Sequence, residues 1–325
     1  MEKQKTIHAY LPDERPPIGK LLLYALQQVI VMFPATIAVA LITGFQVSTT
    51  IFASGLATLC FVLITKGKIP MYYGSSFSYL TAVISLMTSQ QITDKLSPEA
   101  LTQLTSWLAN ETSVMPAEAI AFAQFGIVMS GLVSILAGIL VRVSGKHAVE
   151  KILPPTITGS IALVIGLTLA GTAISDAAPA AVAGVTGSNW VWVVSLATLL
   201  STILFSRYLK GFLSQLPLLL GAAVGCITAA LVYAFGGEGM SLFRTIPQEA
   251  LDASIWQVGG VLAVPAFTLP KASWAAIFAI MPIAIATIPE STAHIYQLDI
   301  YVNNVAKQKG KGGKYKIADL LHLNL

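Results

Sequence analysis

Eight apolar segments, each about long enough to cross a bilayer, follow one another along this chain of 325 residues. A hydrocarbon core of about 30 Å is crossed by a helix of about 20 residues, so each segment is a candidate span. Charged residues make up only 10% of the chain, whereas soluble domains carry about 25%. We therefore predict an all-α polytopic membrane protein with spans near residues 18–43, 47–65, 69–88, 119–141, 150–172, 189–206, 212–235 and 272–302.

The distribution of Lys and Arg supports this number of spans and orients them. If the first residues are cytoplasmic, only Lys95, Arg244 and Lys271 of the 19 Lys and Arg residues fall on the outer side. Every short loop on the inner side is then basic, as the positive-inside rule requires. The sequence predicts a multi-pass protein of the cell membrane, embedded in the lipid bilayer, with both ends of this chain in the cytoplasm.

No motif for soluble chemistry occurs in the sequence. There is no GxxxxGK[ST] phosphate loop, no GxSxG nucleophile elbow and no Cys/His cluster with metal-ligand spacing. The two cysteines, Cys60 and Cys226, lie in apolar segments. The net charge of +4 comes with basic loops, which the topology explains without a nucleic acid partner. We predict no enzyme activity, no metal site and no cofactor.

The last apolar segment, residues 273–302, carries an acid near its middle. Glu290 is the only acid well inside an apolar segment, and on a helix it shares a face with Thr287, Ser291 and His294. An ionisable group at bilayer depth is costly unless it is paired or wetted, so it marks a functional site by default. His294, one turn away, can share its proton. The alternative is a structural polar pair that joins this helix to a neighbour.

The third segment is irregular. It reads Tyr-Tyr-Gly-Ser-Ser-Phe-Ser-Tyr over residues 72–79, a composition that weakens a helix and suits extended chain. Unwound backbone at membrane depth is tolerated where it lines a cavity or is buried in protein, and transporters place binding sites at such breaks. An ordinary helix whose small residues pack on a neighbour explains the sequence equally well.

Shorter features complete the organisation of the chain. Ser97 and Pro98 predict the start of a short helix between the third and fourth spans. Gly221 and Gly225 predict close packing of the seventh span within the chain, with a homodimer contact as the alternative. The polar regions are a cytoplasmic tail over residues 1–17, an extracytoplasmic loop over 236–271, and a basic cytoplasmic linker over 303–325 that leads into the start of a further apolar segment.

Four stretches together resemble the nucleobase–ascorbate transporter family, also called nucleobase–cation symporter-2, and within it the uracil and xanthine permeases. They are DERPP (13–17), KGKIPMYYGSSFSY (66–79), ILPPTITGSIALVIGLTLAG (152–171) and PESTAH (289–294). The resemblance covers nearly the whole chain. It implies fourteen spans in two inverted seven-span repeats, of which this chain holds the first repeat and span 8 and is expected to be C-terminally truncated. Residues 18–141 and 272–302 would belong to a core domain and residues 142–235 to a gate domain.

The resemblance also implies roles for individual residues. Glu290 matches the acid that hydrogen-bonds the nucleobase, and Phe77 matches the residue whose backbone amide contacts it. Gly74 and Ser76 belong to the same substrate-binding stretch. His294 matches the partner of the acid in uracil-type members, which favours a pyrimidine substrate.

Proton coupling would use Glu290 together with His294. The expected supporting polar side chains are Ser75, Thr287, Ser291 and Gln28, the last standing where many members of the family have His.

The sequence therefore predicts proton-coupled uptake of a nucleobase, uracil or else xanthine, across the cytoplasmic membrane, or a truncated piece of such a permease. The alternatives are a non-transporting membrane fragment, an anion carrier of the same architecture and a membrane-embedded enzyme that uses Glu290 and His294 as acid and base. Absence of an embedded Lys or Arg argues against the anion carrier. Extended backbone in the third span would need hydrogen-bond partners, which the resemblance places in a strand of span 10.

Overall fold

The computed structural model describes residues 10–109, 114–145, 151, 155–179, 187–210, 213, 216–236 and 264–325. Regular structure in these residues is helical, and they contain no β-strand. The helices are α1 (Ile18–Thr43), α2 (Val47–Thr65), α3 (Leu80–Met87), α4 (Gln90–Thr93), α5 (Pro98–Leu108), α6 (Ala117–Ser144), α7 (Pro155–Ala177), α8 (Trp190–Tyr208), α9 (Pro217–Gly236), α10 (Trp274–Ile280) and α11 (Ala284–Gln308). Three 3₁₀ segments cover Phe77–Tyr79, Met281–Ile283 and Ile317–Leu323. Residues 1–9 of the predicted tail and 237–263 of the predicted extracytoplasmic loop lie outside the described residues.

Several of these helices have the length and composition of membrane spans. Five stretches of the described residues qualify: Val47–Thr65, Ala117–Ser144, Trp190–Tyr208, Pro217–Phe235 and Trp274–Gln308. Helices α1 and α7 are of similar length, with 26 and 23 residues. The described part of the chain therefore has the all-helical, multi-span character that the sequence predicts.

The third predicted span is helical only in its second half. Residues 70–76, here called the extended stretch, form no helix, and Ser76 has extended backbone angles (φ −90°, ψ 125°). A 3₁₀ turn over Phe77–Tyr79 follows, and α3 begins only at Leu80. Of the two interpretations that the sequence leaves open, the structure adopts the extended one.

The last predicted span, 272–302, is divided by a 3₁₀ turn that the sequence analysis did not predict. Helix α10 ends at Ile280, and α11 runs on to Gln308, beyond the predicted end of the span. Pro282 lies in the turn and has no N–H to donate to an α-helical hydrogen bond. Pro289 lies inside α11, so a second backbone donor is missing immediately before Glu290.

Helices α3, α6 and α10 pack around one cluster of buried apolar side chains. Its members include Val83, Phe122 and Ile280. Gly126 permits the close approach of α6 to α10, because a Cβ at this position would stand 2.7 Å from the Ala276 carbonyl oxygen and 2.8 Å from Cβ of Ile280. These helices therefore form a tightly packed frame beside the turn that divides the last span.

The short helix predicted after Ser97 is present as α5. Ser97 Oγ accepts a hydrogen bond from the Ala100 N–H at 3.3 Å, and Pro98 occupies the first turn. Leu104 is buried in the cluster formed by α3, α6 and α10. The helix therefore packs onto the protein.

Gly221 and Gly225 on α9 face α8 of the same chain. A Cβ on Gly221 would collide with the Thr202 hydroxyl, and a Cβ on Gly225 with the Thr198 hydroxyl. The two helices thus approach each other at glycine-to-threonine contacts, as the prediction of internal packing requires. These glycines are used within the chain and offer no surface for a homodimer.

The residues after α11 fold back against the helices. Ile317 and Leu321 belong to a buried apolar cluster that includes Leu11 from the start of the described chain. Asp299 Oδ1 accepts hydrogen bonds from the N–H groups of Ile317 at 2.8 Å and Ala318 at 3.1 Å, which caps the last 3₁₀ segment. The predicted linker over 303–325 is therefore the end of α11 followed by a packed turn.

Candidate functional site

The side chains of Ser78 and Glu290 meet between the first 3₁₀ turn and α11. Ser78 Oγ donates a hydrogen bond to Glu290 Oε2 at 2.8 Å. Both residues are partly buried. Because Glu290 follows Pro289, the acid sits where the α-helical hydrogen bonding is interrupted. The only acid well inside the apolar segments thus contacts the turn that ends the extended stretch.

Hydroxyl groups fix the turn over Phe77–Tyr79 from both ends. Ser76 Oγ accepts a hydrogen bond from the Ser78 N–H at 3.3 Å. The hydroxyls of Tyr79 and Ser130 lie 2.8 Å apart, and Ser130 is buried in α6. The N–H of Phe77 is the first of the turn, a position where an amide has no partner within the turn. The turn therefore fixes the direction of Ser78 and presents an amide donor at its start.

Asn324 joins the extended stretch to α11 at a second point. Tyr73 Oη donates a hydrogen bond to the Asn324 carbonyl oxygen at 2.8 Å, and Asn324 Nδ2 donates to the Ser291 carbonyl oxygen at 3.1 Å. Asn324 is buried, and the ring of Tyr73 lies 4.5 Å from that of Phe61 on α2. The two broken spans are therefore linked by side chains at two places.

A cavity of about 730 Å³ lies beside the extended stretch. Gly74, Ser75 and Ser76 line it, together with residues of α1, α2 and α6. Phe77 and Glu290 are not among its lining residues. The structure thus separates the predicted substrate-binding residues into two groups, one on the cavity and one at the contact with α11.

Polar side chains attach the segment before α10 to the rim of this cavity. Gln46 Oε1 accepts a hydrogen bond from the Ala266 N–H at 2.8 Å, and Thr268 Oγ1 donates to Gln124 Oε1 at 2.8 Å. These contacts connect residues more than 140 positions apart. They hold the approach to α10 against α2 and α6, and so help to place the helix pair that carries Glu290.

His294 lies on the same helix as Glu290 but is exposed. In the part of the chain that the structure describes, no hydrogen bond or ion pair joins the two side chains. Thr287 and Ser291 are partly buried on the same helix, and Thr287 Oγ1 donates to the Ala284 carbonyl oxygen at 3.5 Å. The direct partner of Glu290 is therefore Ser78 and not His294.

Gln28 on α1 is exposed. It forms no hydrogen bond to Ser75 or Ser76 among the described residues. Met32, one turn further along α1, lies beside the extended stretch instead, because a Cβ on Gly74 would stand 2.9 Å from the Met32 methyl group. The structure therefore brings the apolar Met32 against Gly74, and the role of Gln28 as a supporting polar side chain stays a prediction.

Acidic residues before α1 bind basic residues at and after the end of α11. Glu14 accepts hydrogen bonds from Lys309 Nζ at 2.5 Å and from Lys311 Nζ at 2.9 Å. Asp13 accepts from the ammonium of Lys314 and the hydroxyl of Tyr315. We call this group the clasp, and its members are Asp13, Glu14, Lys309, Lys311, Lys314 and Tyr315.

The clasp shifts the pKa values of its members. The hydrogen bond from Lys309 lowers the pKa of Glu14 from 4.5 to about 2, and that from Lys314 lowers the pKa of Asp13 from 3.8 to about 2. Desolvation and the hydrogen bond to Asp13 raise the pKa of Tyr315 from 10.0 to about 12. Both acids of the clasp are therefore ionised throughout the physiological pH range.

Sequence reasoning missed Ser78 and the clasp. Ser78 is one of three serines within residues 75–78, and nothing in the pattern indicates which of them faces the acid. The clasp did have a signal, because the acids of DERPP and the lysines over 307–316 have opposite charges and fall on the same predicted side of the membrane. Opposite charges in water-exposed segments attract only weakly, so that signal alone does not predict contact.

The chemistry available at the site is hydrogen bonding and proton binding. Its groups are one carboxylate, several hydroxyls and backbone amides, which suit a neutral ligand with both donors and acceptors. Among the described residues, no group of three or more His, Cys, Asp or Glu could hold a metal ion. Cys60 and Cys226 are free thiols.

Comparison with known proteins gives consistent relatives. A family model described as "Permease family" (Xan_ur_permease) matches residues 19–319. The uracil permease of Bacillus caldolyticus is 30% identical over 300 residues, covering 91% of this chain and 60% of the relative. That of Escherichia coli (strain K12) is 30% identical over 283 residues, covering 87% and 56%. The putative pyrimidine permease RutG of the same strain is 27% identical over 284 residues, covering 87% and 55%. The chain thus spans about 60% or less of the length of these curated relatives.

Proposed function

The chain belongs to the nucleobase–ascorbate transporter family, whose model covers residues 19–319, and we propose that it carries a nucleobase of the uracil type across the cell membrane. The relatives reported above are named as permeases, not enzymes. Two of them are named as uracil permeases and one as a putative pyrimidine permease. These names motivate uracil as the first substrate to test and xanthine as the second.

The observation that carries the proposal is the hydrogen bond between Ser78 and Glu290. A nucleobase presents N–H donors and carbonyl acceptors along one edge. The carboxylate of Glu290 would accept a substrate N–H, and the N–H of Phe77 would donate to a substrate carbonyl. No Lys or Arg lines the adjacent cavity or contacts Glu290 among the described residues, which favours a neutral substrate over an anion.

The residues of the extended stretch complete the proposed site. Gly74 has no side chain, so its backbone can come close to a planar ligand. Ser76 bonds the amide of Ser78 and so keeps the turn in the shape that presents the Phe77 amide. Ser75, Thr287 and Ser291 would supply further polar groups around the substrate, and Gln28 would do so only after a change of side-chain position, since it is exposed.

Uptake in this proposal is coupled to a proton. Glu290 would bind the proton, and His294, four residues further along the same helix, would take part in its transfer. One proton moving through 100 mV supplies about 2.3 kcal/mol. At about 1.4 kcal/mol per tenfold, this supports roughly 50-fold accumulation of a neutral substrate.

Two separately packed groups of helices support the proposed division into a core domain and a gate domain. Helices α3, α6 and α10 share one buried cluster. Helices α3 and α10 lie within residues 18–141 and 272–302, the proposed core, and α6 begins there and extends three residues beyond it, to Ser144. Helices α8 and α9 form a closely packed hairpin, which begins and ends close to the bounds of residues 142–235, the proposed gate. Residues before α1 and after α11 would both lie in the cytoplasm.

The test is uptake of labelled uracil by cells that lack their own uracil transport and express this protein from its native gene. We expect saturable uptake that collapses with a protonophore and is competed by uracil. Glu290→Gln keeps the shape of the side chain but removes the charge, so affinity should fall at least about tenfold. Glu99→Gln is the matched control, because Glu99 is an exposed acid on α5 that does not line the cavity. Uptake that neither saturates nor responds to Glu290→Gln would contradict the proposal. Uptake of labelled xanthine in the same cells, without uptake of labelled uracil, would replace uracil by xanthine as the substrate.

A further inference from the structure

The extended stretch has no neighbouring strand in the described residues, yet the backbone of Tyr73 is hydrogen-bonded on both sides. Its N–H donates to Thr58 Oγ1 at 3.1 Å. Its carbonyl oxygen accepts from Ser54 Oγ at 2.7 Å and from Thr58 Oγ1 at 3.2 Å. Unpaired backbone groups are costly at membrane depth. Hydroxyls of α2 therefore provide the hydrogen-bond partners for the backbone N–H and C=O of Tyr73 that a neighbouring strand provides in a β-sheet.

Ser54 and Thr58 act from one face of α2. They are four residues apart, which places them one above the other on a helix, and Ser54 is buried. A hydroxyl has one hydrogen to donate. Since Ser54 uses it for the Tyr73 carbonyl oxygen, the hydroxyl of Tyr72, 2.7 Å away, donates to Ser54. Two side chains of α2 thus hold both the backbone of Tyr73 and the side chain of Tyr72.

These contacts differ from the usual behaviour of hydroxyls in helices. Ser and Thr inside a helix commonly donate to the carbonyl four residues earlier, as Thr65 does to Phe61 at 2.8 Å. Thr58 also lies 2.9 Å from the Ser54 carbonyl oxygen. The Thr58 hydroxyl can donate its hydrogen to the carbonyl oxygen of Ser54 or of Tyr73. In either case Thr58 Oγ1 still accepts the hydrogen bond from the Tyr73 N–H, and a hydrogen bond within α2 does not provide that acceptor.

We propose that Thr58 and Ser54 are positioning residues of the substrate site. They fix Tyr73, and through it they set the direction of the chain over residues 74–78, which leads to Ser78 and its contact with Glu290. The other end of this path is fixed by the bond between Tyr79 and Ser130. Because residues 74–78 are held at both ends, their polar groups keep a fixed orientation even though residues 74–76 have no regular secondary structure. The role in transport rests on the proposed function, whereas the positioning rests on the contacts alone.

The experiment compares Thr58→Val, Thr58→Ser and Thr65→Val in the full-length protein. Valine keeps the shape of threonine without the hydroxyl, and serine keeps the hydroxyl. Thr65→Val is the matched control, because it removes a buried hydroxyl from the same helix that bonds only within that helix. Two quantities are measured: amide hydrogen exchange of the peptide covering residues 70–79 in detergent, and the KM and maximal rate of uracil uptake.

We expect Thr58→Val to raise exchange in this peptide and to raise KM about tenfold while the maximal rate at equal surface expression changes little. Thr58→Ser should restore both quantities, and Thr65→Val should leave both unchanged. Wild-type exchange in Thr58→Val would overturn the positioning. Raised exchange with an unchanged KM would overturn its link to the site. If the wild type takes up no uracil, the proposed function fails, and the exchange result still decides the positioning.

Discussion

Ser78 donates its hydroxyl hydrogen to Oε2 of Glu290 across a distance of 2.8 Å, although 212 positions separate the two residues in the sequence. The bond joins the turn after the extended stretch to the helix that carries the acid. A carboxylate that receives a donor on one oxygen keeps the other oxygen for a second donor. In the proposed site, Oε1 of Glu290 therefore remains available to accept a substrate N–H.

Removing the Ser78 hydroxyl should weaken substrate binding without abolishing it. Ser78→Ala leaves Glu290 ionisable but no longer oriented, so we expect KM for uracil to rise about tenfold, since a hydrogen bond to a charged group is worth about 1.5 kcal/mol or more. Ser78→Thr keeps the donor and should stay near wild type. Ser85→Ala is the control, because Ser85 is exposed on α3. An unchanged KM in Ser78→Ala would show that Ser78 does not orient the acid.

The clasp should hold the chain before α1 in place through charge. In a background without Cys60 and Cys226, a spin label on Arg15→Cys should be immobilised at low salt and released at high salt, because these pairs are exposed to screening. Glu14→Gln removes the negative charge that pairs with two lysines and should release the label at any salt concentration. Glu99→Gln, an exposed acid on α5, should leave it immobilised. A label that is mobile in the parent protein would refute the clasp.

The same label should report a wide pH window for the clasp. The pKa values of Asp13 and Glu14 are lowered to about 2 by their lysine partners, so their contribution is present above the ordinary values of 3.8 and 4.5 and is lost as pH falls towards 2. The pKa of Lys311 is raised by Glu14, so its contribution is complete below 10.5 and is lost above that pH. We expect an immobile label from about pH 5 to about pH 10. Release near neutral pH would mean that the acids are not paired.

A methyl group at Gly126 should destabilise the frame of α3, α6 and α10. In Gly126→Ala the new Cβ would stand 2.7 Å from the backbone oxygen of Ala276, which cannot rotate away, and overpacking of this kind costs about 1–3 kcal/mol. The measurement is the Tm of the purified protein in detergent. Gly131→Ala on the same helix has open space around its Cβ and should match or slightly exceed the wild-type Tm. Equal Tm values for both variants would contradict the close approach.

The predicted topology can be read from cysteine labelling. In the background without native cysteines, a membrane-impermeant maleimide added to intact cells should label Lys95→Cys and miss Lys307→Cys. Both positions are exposed in the structure, so a difference in labelling reports the side of the membrane and not burial. Labelling of Lys307→Cys from outside would reverse the predicted orientation of α11.

The helices were largely predictable because each apolar segment carries its own length and hydrophobicity. The divided last span was not, because the segment contains two prolines, and the sequence does not show that the helix turns at Pro282 yet continues through Pro289. Packing of α10 on α6 at Gly126 holds the helix that precedes the turn at Pro282, and such contacts are not visible in a single sequence.

The candidate site was predictable in its acid but not in its partners. The sequence indicates Glu290 because an acid in an apolar segment is exceptional. It indicates residues 74–76 because their composition weakens a helix. The contact of Ser78 with the acid depends on the pitch of one 3₁₀ turn. The hydrogen bonds of Thr58 with the backbone of Tyr73 depend on the rotation of α2 about its axis. The resemblance implied partners for the extended backbone in a strand of span 10, and for Tyr73 the structure supplies partners from α2.

The last helix pair is longer than the membrane is thick, which bears on where Glu290 would lie in it. Trp274–Gln308 contains 35 residues, or about 50 Å at 1.5 Å per residue, whereas the hydrocarbon core is about 30 Å thick. An exposed Trp at the end of a span suits the lipid–water boundary. If Trp274 lies there and the pair runs straight across the bilayer, Glu290 would lie about 24 Å deep, close to the opposite boundary, and about 20 Å of α11 would extend into water beyond it. The protruding end would then carry Lys309 to Glu14 outside the lipid, and a proton would reach Glu290 by a shorter path from that side than from the other.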